Sequence, residues 1–262
     1  MDWWIILIGT LASLGAGLAT ALGALPVFFK KSISDKTLDL LLGFAAGVML
    51  AASAFSLLVP ALELDPSLGG GVWIVSAGVL AGAVFIAVID KWAPHKHFVS
   101  GPEGKVSKRL AATWLFIIAI TIHNFPEGLA VGVSFGTDEL TAGLVVAIAI
   151  GLQNIPEGTA VAMPLLREGY SRKKAFLIAA FTGLVEPLGA FLGVAAVSIT
   201  KFVLGFGMAF AAGAMIFVVA DEIIPETHGK KYSRQVTFGI IAGFVIMMFL
   251  DNFLEPFLDK II

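Results

Sequence analysis

The sequence lacks cysteine altogether, and it has few charged residues for its length. The absence of cysteine excludes disulfide bonds and metal sites built from thiolates. Lysine, arginine, aspartate and glutamate make up 14% of the 262 residues, whereas about 25% is usual in a soluble globular domain. The formal net charge is -2 and no basic stripe is present, so the composition gives no indication of a nucleic-acid partner.

Apolar residues, 58% of the chain, occur in long runs, which predicts an all-α integral membrane protein rather than a β-barrel. The N-terminus lacks the cationic segment of a signal peptide, so we expect the first run to be retained. Pro60 is expected to end the second run. Eight runs, numbered 1 to 8 as one transmembrane domain over residues 1–262, are predicted to span the membrane: 3–29, 38–59, 71–89, 110–133, 140–166, 175–199, 202–224 and 236–253.

Basic residues are concentrated in alternate loops. Four of these loops hold 15 of the 17 lysine and arginine residues, and the opposite side holds only Lys201 and Lys260. Because cytoplasmic loops carry the excess of basic residues, both termini are predicted to be extracytoplasmic. An error of one span would have destroyed this alternation. The basic loops are residues 30–37, 91–109, 167–174 and 226–235.

One six-residue pattern occurs twice inside the apolar runs. Residues 123–128 read His-Asn-Phe-Pro-Glu-Gly in span 4, and residues 153–158 read Gln-Asn-Ile-Pro-Glu-Gly in span 5. On a helix His123, Asn124 and Glu127 lie on one face. The proline of each copy removes a backbone donor and predicts a kink, and the glycine after each glutamate leaves room for a close neighbour. Ionisable groups at this depth are costly and indicate a functional site.

The second copy places Gln153 and Asn154 in the same relation to Glu157, and span 6 adds Glu186 at a similar depth. Three buried carboxylates repel one another unless a cation or protons join them. No lysine or arginine lies mid-span to do so. Imidazole and carboxylate oxygen suit zinc and other divalent first-row ions, and Met49 in span 2 adds a thioether. Taken singly, each residue is more often structural, but the duplication together with Glu186 favours a site for a divalent metal.

At these residues the chain resembles the ZIP (Zrt- and Irt-like) family of divalent metal transporters, in its bacterial branch. The resemblance covers essentially the whole chain, and His-Asn-x-Pro-Glu-Gly in a fourth span is a specific signature. It implies a binuclear mid-membrane metal site, an inverted repeat of spans 1–3 and 6–8 around spans 4 and 5, an elevator-like movement and a homodimer. The implied metal-site residues are His123, Asn124, Glu127, Gln153, Asn154, Glu157, Glu186 and Met49.

Two positions depart from the family pattern. Many members have histidine where this chain has Gln153, and some have aspartate where it has Asn154. The second half-site is therefore less basic and less charged than in those members. Metal preference stays open, as does the choice between two ions and one ion with an occasional second site at Asn154 and Glu186.

Further polar residues lie near the predicted cytoplasmic boundary. Two histidines separated by one residue can bind a metal from a loop, and acidic residues end spans 3 and 7. This pattern predicts a release or sensing site, with ordinary solvated loop and helix-end residues as the alternative. The residues concerned are Asp90, His95, His97, Asp221 and Glu222.

The sequence therefore predicts a transporter, not an enzyme. It would move a divalent cation, zinc first but also iron, manganese or cadmium, across a bacterial cytoplasmic membrane into the cytoplasm by alternating access. The metal is the transported ligand and no resident cofactor is expected. No ATP-binding Gly-x-x-x-x-Gly-Lys-Ser/Thr pattern is present, so gradients would drive transport. Two alternatives are a proton-coupled carrier or channel for another solute, and an intramembrane metalloenzyme.

Overall fold

The computed structural model describes residues 3–92, 108–137, 140–228, 232–258 and 260. Every regular element in these ranges is helical. Eight helical segments in this part of the chain are long and apolar enough to cross a membrane, which confirms the predicted number. Spans 1 to 8 are Trp3–Phe29, Asp35–Glu63, Pro66–Ile89, Ile117–Thr137, Leu140–Arg167, Arg172–Ile199, Val203–Ile223 and Ser233–Leu254.

Several spans contain more than one helical segment. The α-helices are Trp3–Ala24, Pro26–Phe29, Asp35–Ala51, Val59–Glu63, Val72–Trp92, Lys108–Ser134, Leu140–Arg167, Arg172–Gly183, Glu186–Ile199, Val203–Val218, Ile224–His228 and Ser233–Leu258. Two π-helical segments, Ala52–Leu58 and Val219–Ile223, lie within spans 2 and 7, and two short 3-10 turns are Pro66–Leu68 and Phe135–Thr137.

Pro60 does not end span 2, so that prediction was wrong. The helix continues through Pro60 to Glu63. The preceding π-helical segment has already widened the hydrogen-bond ladder, and the backbone N–H of Val59 donates to the carbonyl of Ala54, five residues back. Pro60 lies in the first turn of the next α-helical segment. A backbone N–H at that position would have no acceptor within the segment, so proline, which has no N–H, fits there.

Span 6 is interrupted beside a predicted site residue. Its first helix ends at Gly183, and its second begins at Glu186 with Pro187 as the next residue. Proline suits the first turn of a helix, where its missing N–H would have no intrahelical partner. Spans 4 and 5 differ, because their helices continue through Pro126 and Pro156. The break leaves Glu186 in the first turn of a new helix at mid-span.

Spans 4 and 5 form the centre of the bundle. In each of them 72% of an 18-residue apolar stretch is buried, against 22% of the corresponding stretch in spans 3 and 8. Exposed tryptophans lie at one end of the bundle, at Trp3, Trp4 and Trp73. Near the other end, the indole of Trp114 donates to the hydroxyl of Tyr170. Aromatic side chains at two levels are typical of the two membrane–water interfaces.

Glycines bring particular pairs of spans into backbone contact. A Cβ on Gly47 would lie 2.0 Å from the carbonyl oxygen of Ile240 in span 8, and one on Gly82 would lie 2.0 Å from that of Phe210 in span 7. Small residues four apart predict this kind of close packing, and the contacts confirm it. Spans 2 and 8 therefore form one tight pair, and spans 3 and 7 form another.

The same kind of contact joins the inner spans. A Cβ on Gly23 in span 1 would meet the carbonyl oxygen of Ile155 in span 5, and one on Gly189 in span 6 would meet that of Phe125 in span 4. Span 1 thus packs on span 5 as span 6 packs on span 4. The inverted repeat would produce such matched pairs. Its sense across the membrane and the side on which the termini lie stay predictions.

Candidate metal centre

The polar residues of the duplicated pattern, together with Glu186 of span 6, are buried inside the bundle. His123 is 3% exposed and Glu157 is 1% exposed, and the other members of the set are fully enclosed. The helices of spans 4 and 5 present these side chains to each other and to spans 1 and 6. The structure therefore brings spans far apart in sequence to one point. The enclosed members are Asn124, Glu127, Gln153, Asn154 and Glu186.

Two amide side chains connect the site to its neighbours. The Nε2 of Gln153 donates to Oε1 of Glu127 over 2.6 Å, which joins span 5 to span 4. The Nδ2 of Asn154 donates to Oε1 of Glu186 over 2.7 Å and to the carbonyl oxygen of Ala16 over 2.9 Å. The other carboxylate oxygen of each glutamate, Oε2 of Glu127 and Oε2 of Glu186, has no hydrogen-bond partner among the described residues.

Glu157 differs from the other two carboxylates. Neither of its oxygens has a hydrogen-bond partner among the described residues. Both polar atoms of the Asn124 side chain are also without a partner there. Buried carboxylate oxygens without partners are costly. A cation bound among them would offset both the repulsion and the lost hydrogen bonds.

The glycine after each glutamate allows a neighbouring backbone to approach the site. A Cβ on Gly128 would lie 1.9 Å from the carbonyl oxygen of Glu186, and one on Gly158 would lie 1.9 Å from that of Thr20. No side chain fits at either position without moving a helix. The expected room for a close neighbour is confirmed, and the neighbours are spans 6 and 1.

Glu222 contacts the histidine of the duplicated pattern directly. Its Oε1 lies 2.9 Å from Nε2 of His123. Glu222 and Asp221 lie in the π-helical segment Val219–Ile223 of span 7. A residue predicted for the release site is therefore adjacent to the central site as well.

The other members of the predicted release site are only partly described. Asp90 lies in the helix Val72–Trp92, but its side chain is outside the described part of the structure. His95 and His97 lie outside the described residues. Met49 is buried in the hydrophobic core together with Ala130 and Val131 of span 4.

The predicted ligands are arranged in pairs. Within the described part of the chain, no three histidine, aspartate or glutamate side chains converge as a ready-made metal site. Instead Glu127 pairs with Gln153, Glu186 pairs with Asn154, and His123 pairs with a residue of span 7. Metal binding would have to exchange some of these partners for the ion.

A second polar region lies outside the residues predicted from the sequence. The Oγ of Ser56 donates to Oδ1 of Asp251 over 2.5 Å, and both residues line a cavity of about 180 Å³ that is bordered by spans 2, 4, 5, 7 and 8. Ser134, which is buried, and Thr137 also line this cavity. The available signal was the carboxylate of Asp251 within an otherwise apolar run of span 8.

Eight membrane spans that enclose carboxylate, imidazole and amide side chains define a class of protein, the multi-pass membrane transport proteins. Residues 95–251 match the family model described as ZIP zinc transporter. The chain belongs to the ZIP zinc transporter family.

Relatives of this chain are similar over most of its length. The zinc transporter GufA of Myxococcus xanthus is 44% identical over 93% of this chain and 97% of its own length. The zinc transporter ZIPB of Bordetella bronchiseptica is 45% identical over 89% of this chain and 77% of its own length. The human zinc transporter ZIP11 is 37% identical, and the match covers 94% of this chain and 96% of the human protein. The protein is thus a metal transporter and not an enzyme, which excludes the metalloenzyme hypothesis.

Proposed function

We propose that this protein carries zinc into the cytoplasm, across a bacterial cytoplasmic membrane, through the mid-membrane site of spans 4, 5 and 6. The names of its relatives support zinc as the substrate. The observation that carries the proposal is Glu157, whose two buried oxygens have no hydrogen-bond partner among the described residues. With both oxygens available, this carboxylate would serve both halves of the site.

The two halves of the site would bind zinc unequally. Zinc binds imidazole nitrogen and carboxylate oxygen in sites of about four ligands. His123, Glu127 and Glu157 offer one nitrogen and two carboxylates, with Asn124 next to His123 in the chain and Met49 of span 2 as a further predicted ligand. On the other side of Glu157, only Glu186 adds a second charge, and Asn154 adds a neutral oxygen. We expect the first half-site to bind zinc more tightly than the second.

Access to the site would come from the cavity lined by Ser56 and Asp251, whose carboxylate attracts cations. On the opposite side, Glu222 contacts His123. When zinc occupies His123, Glu222 is displaced and becomes available as a ligand on the release route. That route continues to Asp221, which lies in the same π-helical segment, and Asp90, His95 and His97 stay predicted members of the release site. A rearrangement that opens the site to one side at a time completes the cycle.

Zinc flux in liposomes tests the proposal. Purified protein in vesicles with a zinc-sensitive dye inside should admit zinc faster than protein-free vesicles. Glu127→Ala should reduce this flux to the protein-free rate, because it removes a charge from the half-site that we expect to bind more tightly. A panel of iron, manganese and cadmium ions in the same assay would define metal preference. If wild-type protein passes no more zinc than Glu127→Ala, the proposal is wrong.

Zinc binding also separates the proposal from a proton-coupled carrier of another solute. A ligand that binds only the folded state stabilises it, by about 2.7 kcal/mol when its concentration is 100 times Kd. We therefore expect zinc to raise the unfolding temperature of the wild-type protein in detergent, and magnesium to raise it much less. The alternative carrier predicts no zinc-specific increase.

A further inference from the structure

Thr20 is a buried polar residue of span 1 that borders the second half-site. It is fully enclosed, and its Oγ1 has no hydrogen-bond partner among the described residues. Its backbone carbonyl packs against Gly158, the residue after Glu157. Neither the duplicated pattern nor the pairs of hydrogen-bonded ligands include Thr20.

The free hydroxyl of Thr20 has a structural cause. A threonine inside a helix usually donates to the carbonyl four residues earlier, as Thr10 does to Ile6 over 2.7 Å in the same span. For Thr20 that carbonyl belongs to Ala16, which accepts the side-chain amide of Asn154 instead. Asn154 is itself a predicted metal-site residue. The contact that fixes Asn154 therefore also occupies the acceptor nearest to the Thr20 hydroxyl.

Spans 1 and 6 cross at two glycines, and each span places a polar side chain over the glycine of the other. A Cβ on Gly17 would lie 3.3 Å from Oε1 of Glu186, and one on Gly183 would lie 2.9 Å from Oγ1 of Thr20. The separation in sequence from Gly17 to Thr20 equals that from Gly183 to Glu186. Thr20 therefore holds in span 1 the place that Glu186 holds in span 6.

The backbones show the same equivalence. The carbonyl of Glu186 packs against Gly128 in the first copy of the pattern, and the carbonyl of Thr20 packs against Gly158 in the second copy. Both residues thus adjoin a site glutamate through its following glycine. One of the two equivalent positions carries a carboxylate, and the other carries a neutral hydroxyl.

We propose that Thr20 is a further binding residue of the second half-site, where its hydroxyl oxygen binds the divalent cation on the side of span 1. This inference rests on the proposed function. A hydroxyl is a weaker ligand than the carboxylate at the equivalent position of span 6. Thr20 thus sets how tightly the second half-site holds the ion, and it does so without adding a charge.

Two substitutions of opposite character test this role. Thr20→Val keeps the shape and the methyl group but removes the oxygen, whereas Thr20→Ser keeps the oxygen and removes the methyl group. We expect Thr20→Val to weaken zinc binding about 10-fold, which corresponds to 1.4 kcal/mol, and to raise the KM for zinc flux. Thr20→Ser should remain within about threefold of wild type. Zinc binding is measured by competition with a chelating dye, and flux is measured in liposomes.

A packing role for Thr20 predicts the reverse order, with Thr20→Ser more damaged than Thr20→Val, and that result would overturn the inference. Unchanged zinc affinity in Thr20→Val would overturn it too. Thr10→Val is the matched control, because its hydroxyl is already bonded to the backbone of the same span; an equal loss there would show a general effect and also contradict the inference. If wild type itself neither binds nor carries zinc, the proposed function fails and the role of Thr20 fails with it.

Discussion

Glu157→Gln is expected to reduce zinc flux by at least about 100-fold, the loss that follows when roughly 2.7 kcal/mol of binding is removed. Both oxygens of Glu157 are buried without partners among the described residues. The amide has nearly the same shape, but it replaces one acceptor oxygen with a donor and removes the charge that neutralises the ion. Flux into dye-loaded liposomes measures the effect.

The folded state should tolerate this substitution. An amide is less costly to bury than a carboxylate whose oxygens have no partner among the described residues, so the unfolding temperature without zinc should be unchanged or higher. The zinc-induced increase in unfolding temperature should disappear. Glu168→Gln, in the loop after span 5, is the control and should retain wild-type flux. Undiminished flux in Glu157→Gln would show that the carboxylate does not bind the transported ion.

Gly158→Ala is expected to destabilise the protein by about 3 kcal/mol, at the upper end of the usual cost of overpacking. The added Cβ would lie 1.9 Å from the carbonyl oxygen of Thr20. That atom belongs to a helix backbone and cannot rotate away, so spans 1 and 5 must separate. Glu157 is the preceding residue, and the movement would displace it from the site. Thermal unfolding in detergent and zinc flux should both show the loss.

Gly151→Ala is the matched control on the same helix. Its Cβ would meet the nearest atoms, in Ala16 and Ala19, at 3.7 and 3.8 Å, which is ordinary van der Waals contact. Alanine favours a helix over glycine by about 1 kcal/mol, so stability should be unchanged or slightly higher. Equal destabilisation by the two substitutions would contradict the account of Gly158 as a contact that only glycine permits.

The sequence predicts the spans well because membrane crossing depends on local properties, namely length and apolar content. It also predicts that the polar residues are buried, since six of them lie at matching positions of two adjacent helices. It does not predict their partners. Asn154 donates to the carbonyl of Ala16, and no pattern within one helix indicates a contact between residues so far apart in the chain.

Glu222 shows a second limit. Its place near the end of span 7 favoured a role at the cytoplasmic boundary, and the structure shows it against His123. The segment Val219–Ile223 is π-helical, so side chains there point in directions that a period of 3.6 residues does not give. The error at Pro60 has the same origin, because a π-helical segment precedes it as well. Such segments depend on tertiary packing and leave little trace in hydrophobic periodicity.

The π-helical segments of spans 2 and 7 also bear on what a single-residue deletion would do in this chain. A π-helical segment is equivalent to an α-helix with one inserted residue. Deleting one residue from Val219–Ile223 would restore the regular helix and leave the flanking turns in phase, so the residues of the segment itself would change direction. Glu222 would then turn away from His123. A single-residue deletion, usually the mark of an unimportant loop, would here act on the site itself.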